Sequence, residues 1–299
     1  MGLMESFSNR TIELLEPKSV MRMDDVLSLD DPETVVICDF NIQGMETAIF
    51  DEVFKTKIGT RTVLNVDHHV PVPAMMRFIS SANLASNYVR KYGVPAPAKT
   101  SVKIHHTDCD SIISAAMMRG LIEPESRFEE AAIAADHTGA ENPIADLLQS
   151  LELERDISFS LEMLDIYLKN GSLPPRAVTL VDERTKTRLD LKNMVESGVF
   201  KMIDGVAYAD IDYSVDAGLL PSLLPDAKAI VVSMPTESGR KNIKVRLTPA
   251  SPEGSDIGRM NLENNFGGRW NAGSNKRGGG TTLSAAEFAQ LVAKNMKSE

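Results

Sequence analysis

Thr34-Val35-Val36-Ile37-Cys38-Asp39 and, further on, Arg61-Thr62-Val63-Leu64-Asn65-Val66-Asp67-His68-His69 share one design: a short apolar run that ends on an acid. Near-continuous apolar runs of this length belong to strands covered on both faces, as in parallel sheets. Ser101-Val102-Lys103-Ile104 is a third run, ending on His105. Three strands that each deliver polar groups at their carboxyl ends predict an α/β domain with its site at that edge of the sheet. Around them, Ser111 to Leu121, Glu125 to Asp136 and Pro143 to Asn170 read as helices, and residues 1–33 have mixed helical periodicity.

Asn170-Gly171-Ser172-Leu173-Pro174-Pro175 is the strongest breaker in the chain. It divides the sequence into a catalytic domain over 1–170, a linker over 171–200 with a charged helical stretch to about Ser197, and a second, smaller α/β domain over 201–299. In that domain Lys201–Ile211, Ala227–Ser233 and Asn242–Leu247 read as strands and Asp256–Asn265 as a helix. A glycine-rich loop from Gly267 to Gly280 and a helix from Ser284 to Lys297 complete it.

All five histidines lie beside, or within three residues of, an aspartate: Asp67-His68-His69, His105-His106-Thr107-Asp108-Cys109-Asp110, and Asp136-His137. Imidazole nitrogen and carboxylate oxygen together suit a divalent ion such as Mn²⁺, and two such ions form a device for attacking phosphate esters. Asp39 reads as a metal ligand or as the N-cap of the segment after it. Asp67 fits a partner that fixes an imidazole tautomer, with one histidine of the pair on metal and the other toward substrate. His106, Asp108 and Asp110 alternate, so an extended segment would turn all three to one side, although either aspartate also suits a helix N-cap. His105 has the opposite parity and reads as structural or substrate-side. Asp136 completes a metal site, while His137 suits a ligand neighbour or a helix cap.

The net charge of −10 is uneven. From Arg240 to Glu299 there are 10 Lys/Arg against 5 Asp/Glu, a balance of +5, which leaves −15 for residues 1–239. An acidic, metal-loaded half and a basic, phosphate-holding half fit that split. Apolar and charged fractions of 42% and 25% are those of a globular protein. No apolar run approaches a membrane span, and the N-terminus lacks a secretory pattern, so a cytoplasmic protein is expected. Gly2 with Ser6 matches the loose N-myristoylation pattern, for which coincidence is the ordinary reading. Cys38 and Cys109 lack metal-type spacing and read as buried, reduced residues at strand ends.

Asp67-His68-His69 after an apolar strand resembles the signature of the DHH phosphoesterase superfamily. Asp39, 28 residues earlier, is similar to the family's preceding motif, and Ala134-Ala135-Asp136-His137-Thr138-Gly139 to its fourth. Phe266-Gly267-Gly268-Arg269-Trp270-Asn271-Ala272-Gly273, with the upstream Lys244-Val245-Arg246-Leu247, resembles the glycine-rich loop of the associated DHHA1 domain. Two positions depart from the pattern. The family's first metal motif normally precedes the others, and here its match, His106-x-Asp108-x-Asp110, lies after the triplet. Arg269 stands where the loop usually has histidine.

The resemblance implies two Mn²⁺ ions per chain, with Mg²⁺ or Co²⁺ as substitutes. One would be held by His106, Asp108 and Asp39, the other by Asp110, Asp39, His68 and Asp136, so that Asp39 bridges. His69 would face the scissile phosphate as the catalytic residue, with Asp67 behind it. Arg246, Gly267, Gly268, Arg269, Asn271 and Gly273 would hold substrate, the glycines by letting backbone approach a phosphate and the arginines as charge clamps. Trp270 would stack on a base or anchor the loop, and Lys276 and Arg277 would follow a nucleic-acid backbone or stand as solvated charges. The implied activity is two-metal hydrolysis of short oligonucleotides or small nucleotides. Cyclic dinucleotides or pAp are alternative substrates, and a degenerate, non-catalytic nucleic-acid-binding relative is the competing class. A homo-oligomer is compatible with all of these.

Overall fold

Continuous burial builds the first sheet. In β2 (Thr34–Cys38) and β4 (Arg61–Val66) the residues from Val35 to Cys38 and from Val63 to Val66 are all buried, the mark of strands covered on both faces. The computed structural model describes residues 12–18, 20–45, 52–69, 79–262 and 266–296. The Gly2–Ser6 pattern, the end of the expected Asp256–Asn265 helix and Lys297 lie outside them. The chain forms two compact units, one of Met1–Asp136 and Glu141–Arg184, the other of His137–Ala140 and Thr185–Glu299.

The first unit carries a five-stranded sheet in the order β1-β5-β2-β4-β3, where β1 is Ile12–Leu14, β3 Phe54–Ile58 and β5 Thr100–Ile104. The pairs β1–β5, β5–β2 and β2–β4 are parallel. The edge strand β3 is antiparallel to β4, so the parallel sheet expected from the apolar runs gains one antiparallel edge. Lys55 and Lys57 stand exposed on it, a common guard on a sheet edge. Its apolar run is too short and too interrupted by lysine to read as a buried strand.

Residues 12–33 also depart from their helical reading. They hold β1 and the one-turn helix α1 (Met23–Val26), and Met21 and Val26 pack with Val35, Ile37, Phe40, Ile42 and Val63 on the sheet. Lys103 of β5 is fully buried and ties this segment down. Its Nζ lies 2.9 Å from Asp31 Oδ1 and 3.1 Å from Glu13 Oε2, and it donates to Val26 O at 2.7 Å.

Helices α2 (Ser81–Tyr92) and α3 (Cys109–Met118) pack on each other, followed by α4 (Ser126–Ile133), a π-helical turn over Ala134–Thr138, α5 (Pro143–Leu151) and α6 (Ile157–Leu168). Ser80 caps α2 through Asn83 N, and Asp108 caps α3 through Ser111 N. That cap starts α3 two residues before the position read from apolar periodicity. The charged stretch after Pro174 forms α7 (Pro175–Glu196), whose Ala177 packs with Leu147, Leu151 and Met163 of the first unit and whose Leu191 packs with Ala207, Ile230 and Val232 of the second. Among the described residues no helix is long and apolar enough to cross a membrane.

The second unit carries a six-stranded sheet in the order β10-β11-β9-β8-β7-β6. β6 (Lys201–Ile203) and β7 (Val206–Asp210) divide the single strand expected over Lys201–Ile211, because Asp204 and Gly205 take positive φ (50° and 84°) and turn a hairpin. β8 is Ala229–Pro235 and β9 Lys241–Leu247. Two readings fail here. Asp256 caps only a three-residue 3-10 turn, Ile257–Arg259, and the glycine-rich loop is a β-hairpin, β10 (Gly267–Arg269) against β11 (Ala272–Ser274). Helix α8 (Leu220–Leu223) and the closing helix α9 (Ala285–Met296) complete the unit.

Candidate metal centre

The centre lies wholly in the first unit, at the carboxyl edge of its sheet. β2 sits between β5 and β4, so the chain reverses its direction across the sheet there. Such a switch point opens a crevice outside the strand ends. Asp39 follows β2, Asp67 and His68 follow β4, and His106 follows β5. Asp39 is 1% exposed and takes a left-handed backbone, φ 61°, an arrangement that costs about 1–3 kcal/mol and must be held by its surroundings. Its N–H donates to Val66 O at 2.9 Å, and Ser81 Oγ and Ser111 Oγ donate to its carboxylate at 3.2 and 2.8 Å. No helix starts at Asp39, which removes the N-cap reading.

Three donor groups share that carboxylate, one of them Asp39 with His68 and His69. Asp39, His68, Asp110 and Asp136 form a second, and Asp39, His106 and Asp108 a third, with the ligand atoms of each group within 4.8 Å of one another. His68 Nε2 stands 3.5 Å from Asp39 Oδ1, 3.5 Å from Asp110 Oδ2 and 3.0 Å from Asp136 Oδ2. His106 turns Nδ1 toward Asp39 Oδ2 at 3.8 Å and Asp108 Oδ1 at 3.7 Å. The expected parity of an extended segment is not what aligns these ligands. Asp108 is the helix cap and Asp110 lies in the first turn of α3, so the two acids diverge into different groups. Asp110 accepts from Ser81 N and Ala82 N, both at 2.7 Å, and thereby binds the amino end of α2.

Burial, then the charges of Asp108 and Asp136, pushes the Asp39 carboxyl well above its usual range. Burial, then Asp39 and Asp136, does the same to Asp110. Asp67 behaves oppositely. Burial works against its charge, but His69 and then His68 hold the carboxyl below the usual range. Its Oδ1 lies 2.6 Å from His69 Nδ1, so Asp67 supports His69.

Of the remaining residues, His105 stacks on Phe40 at 4.8 Å, and burial lowers its pKa to about 3, so it is a neutral packing ring. Cys38 ends β2, but Cys109 opens α3 and is not at a strand end. Both thiols are fully buried, and burial raises their pKa values. Ser81 and Ser111 escaped the sequence reading, since nothing in a lone serine marks it as a carboxylate's partner.

In the second unit, His137 is 2% exposed, its Nδ1 lies 2.7 Å from Asn271 Nδ2, and its ring lies 5.8 Å from that of Trp270. Trp270, 7% exposed, anchors the hairpin, which favours that reading over base stacking. Gly268 and Gly273 pair across β10 and β11, and a Cβ at either would stand 2.2 Å from Ala272 O or 2.5 Å from Phe266 Cε1. Their lack of a side chain is thus needed by the hairpin itself. Of the three hairpin glycines, Gly267 has open space at its Cβ position. Lys244 and Arg246 lie on the same face of β9, and burial, opposed by Asp216 but joined by Arg246 and Lys276, depresses the Lys244 pKa.

No family model matches the chain, and no curated protein sequence matches it. Among solved structures it is similar to a pGpG-specific phosphodiesterase, PggH from Vibrio cholerae, with a TM-score of 0.45 and 12% identity over 71% of this chain and 88% of that one.

Proposed function

We propose that the chain is a divalent-cation-dependent phosphoesterase that hydrolyses phosphodiester bonds of short oligonucleotides or small nucleotides. One observation carries this reading: two separate groups of imidazole and carboxylate donors converge on the single shared carboxylate of Asp39. The donor set fits Mn²⁺ or Mg²⁺, since the crowded, buried carboxyls of Asp39 and Asp110 are held there at an electrostatic cost that a cation would offset. His106, Asp108 and Asp39 would hold one ion, and Asp39, His68, Asp110 and Asp136 the other. Two bound cations supply Lewis-acid polarisation of phosphoryl oxygens and activation of water.

The chain's own residues do the rest. Asp67 fixes the His69 ring through Nδ1, which leaves Nε2 to face the substrate phosphate. In the second unit Arg246 and Arg269 supply positive charge for a phosphate-bearing ligand, Gly267 supplies open backbone, and Asn271 holds the hairpin through His137.

The test is release of mononucleotide from a 5′-labelled three-residue RNA, with Mn²⁺ or EDTA, by wild type, Asp136→Ala and His68→Ala. Mn²⁺-dependent release that both substitutions abolish while the fold persists is the expected result. If wild type releases nothing from this RNA, from a cyclic dinucleotide or from pAp, the enzyme reading is lost to a non-catalytic one.

A further inference from the structure

Ser111 touches every member of the Asp39–His106–Asp108 group. Its hydroxyl donates to Asp39 Oδ2 at 2.8 Å and stands 2.5 Å from His106 Nδ1, and its N–H donates to Asp108 Oδ1 at 2.9 Å. The residue is fully buried in the first turn of α3, so the backbone fixes where the hydroxyl sits. Asp110, in the other group, is held instead by the backbone N–H groups of Ser81 and Ala82. Ser111 reaches that second group through Asp39 alone among its described hydrogen bonds.

We propose that Ser111 is the positioning residue of the Asp39–His106–Asp108 cation site, and that it sets the affinity of this site separately from that of its neighbour. The inference rests on the two-cation reading and adds an order of filling to it. The His68 group offers three carboxylates and an imidazole, the His106 group two carboxylates and an imidazole, and they share Asp39. The richer group fills first and draws on the common carboxylate. The poorer group then depends on how well its donors already converge. The His106 side chain is 27% exposed, and Ser111 Oγ, whose one proton goes to Asp39, accepts from its Nδ1–H, which fixes the tautomer and leaves Nε2 as the nitrogen with a lone pair for a cation. Without the hydroxyl, Asp39 Oδ2 also loses a buried hydrogen bond.

The experiment is calorimetric titration of the full chain with Mn²⁺, for wild type, Ser111→Ala and Ser111→Thr, with electron paramagnetic resonance of the same samples and a thermal melt of each. Wild type should bind two ions in unequal steps, the second giving an exchange-coupled pair. Ser111→Ala should weaken the second step about 10–100-fold, the range for losing a partner that orients a ligand, and the first step, which shares Asp39, by less. The second equivalent should then show the six-line signal of an isolated ion. Ser111→Thr keeps the hydroxyl and should restore the second step. Two steps that Ser111→Ala leaves as they were, or weakens alike, overturn the role assigned to Ser111 while the phosphoesterase reading stands. A wild type that binds less than one ion removes that reading, and this one with it.

Discussion

Asp39 and Asp110 approach the same nitrogen, His68 Nε2, at the same distance of 3.5 Å. Both carboxyls are pushed above their usual range, by burial first and by neighbouring carboxylates second. An acid whose pKa is raised on folding favours the folded state while protonated. That contribution is complete below the unfolded value near 4 and is lost as pH rises toward the folded pKa. The metal-free protein should therefore lose this stability on going up from about pH 4. A divalent cation should offset the loss, so the rise in Tm on adding Mg²⁺ in place of EDTA should grow from pH 5 to pH 8. A rise that is flat across that range would show that the two acids are not the ones the cation relieves.

Lys103 makes a sharper stability prediction. Its side chain is 1% exposed and its main partner, Asp31, has a side chain 4% exposed. Lys103→Met leaves that carboxylate buried without its charge partner, at a cost of about 3–5 kcal/mol. Adding Asp31→Asn should recover more than half of it, because the uncompensated charge is then gone. Urea unfolding of the two variants measures both values. A double variant no better than the single one would place the loss in packing.

The hairpin glycines separate structure from substrate contact. Gly268→Ala drives a Cβ into backbone at Ala272 O and should destabilise by about 1–3 kcal/mol. Gly267→Ala meets nothing within 4 Å and should leave Tm where it was. If the Gly267 backbone lies against a substrate phosphate, Gly267→Ala raises KM without moving Tm. Equal Tm losses in the two variants would contradict the steric difference.

The strands that carry ligands were legible because burial on both faces writes itself as a continuous apolar run, and Val35–Cys38 and Val63–Val66 show it. Edge strands leave no such mark. Phe54–Ile58 alternates with lysine and Ile12–Leu14 is three residues long, so their pairing comes from the sheet and not from their own pattern. The Asp/His clusters announced a metal chemistry, but spacing alone did not sort Asp108 from Asp110, because a helix begins between them. The glycine-rich stretch looked like an open loop, since glycine required by a close hairpin crossing and glycine left free for a ligand are the same letter. Ser81 and Ser111 were silent for a related reason: what they do depends on strands and helices distant in the chain.

The pairing of β1 with β5 also governs how the chain is made. Leu14 finds its register partner, Ile104, 90 residues later, with β2 and β4 synthesised in between. At about 5–20 residues per second on the ribosome, the first strand waits roughly 5–18 s for the neighbour it needs. During that interval Glu13 also lacks Lys103, and the apolar Ile12 and Leu14 stand beside a sheet that has not yet acquired the strand between them. The nascent chain thus cannot close its N-terminal edge early. Its last act in building that sheet is to collect the earliest made of the five strands.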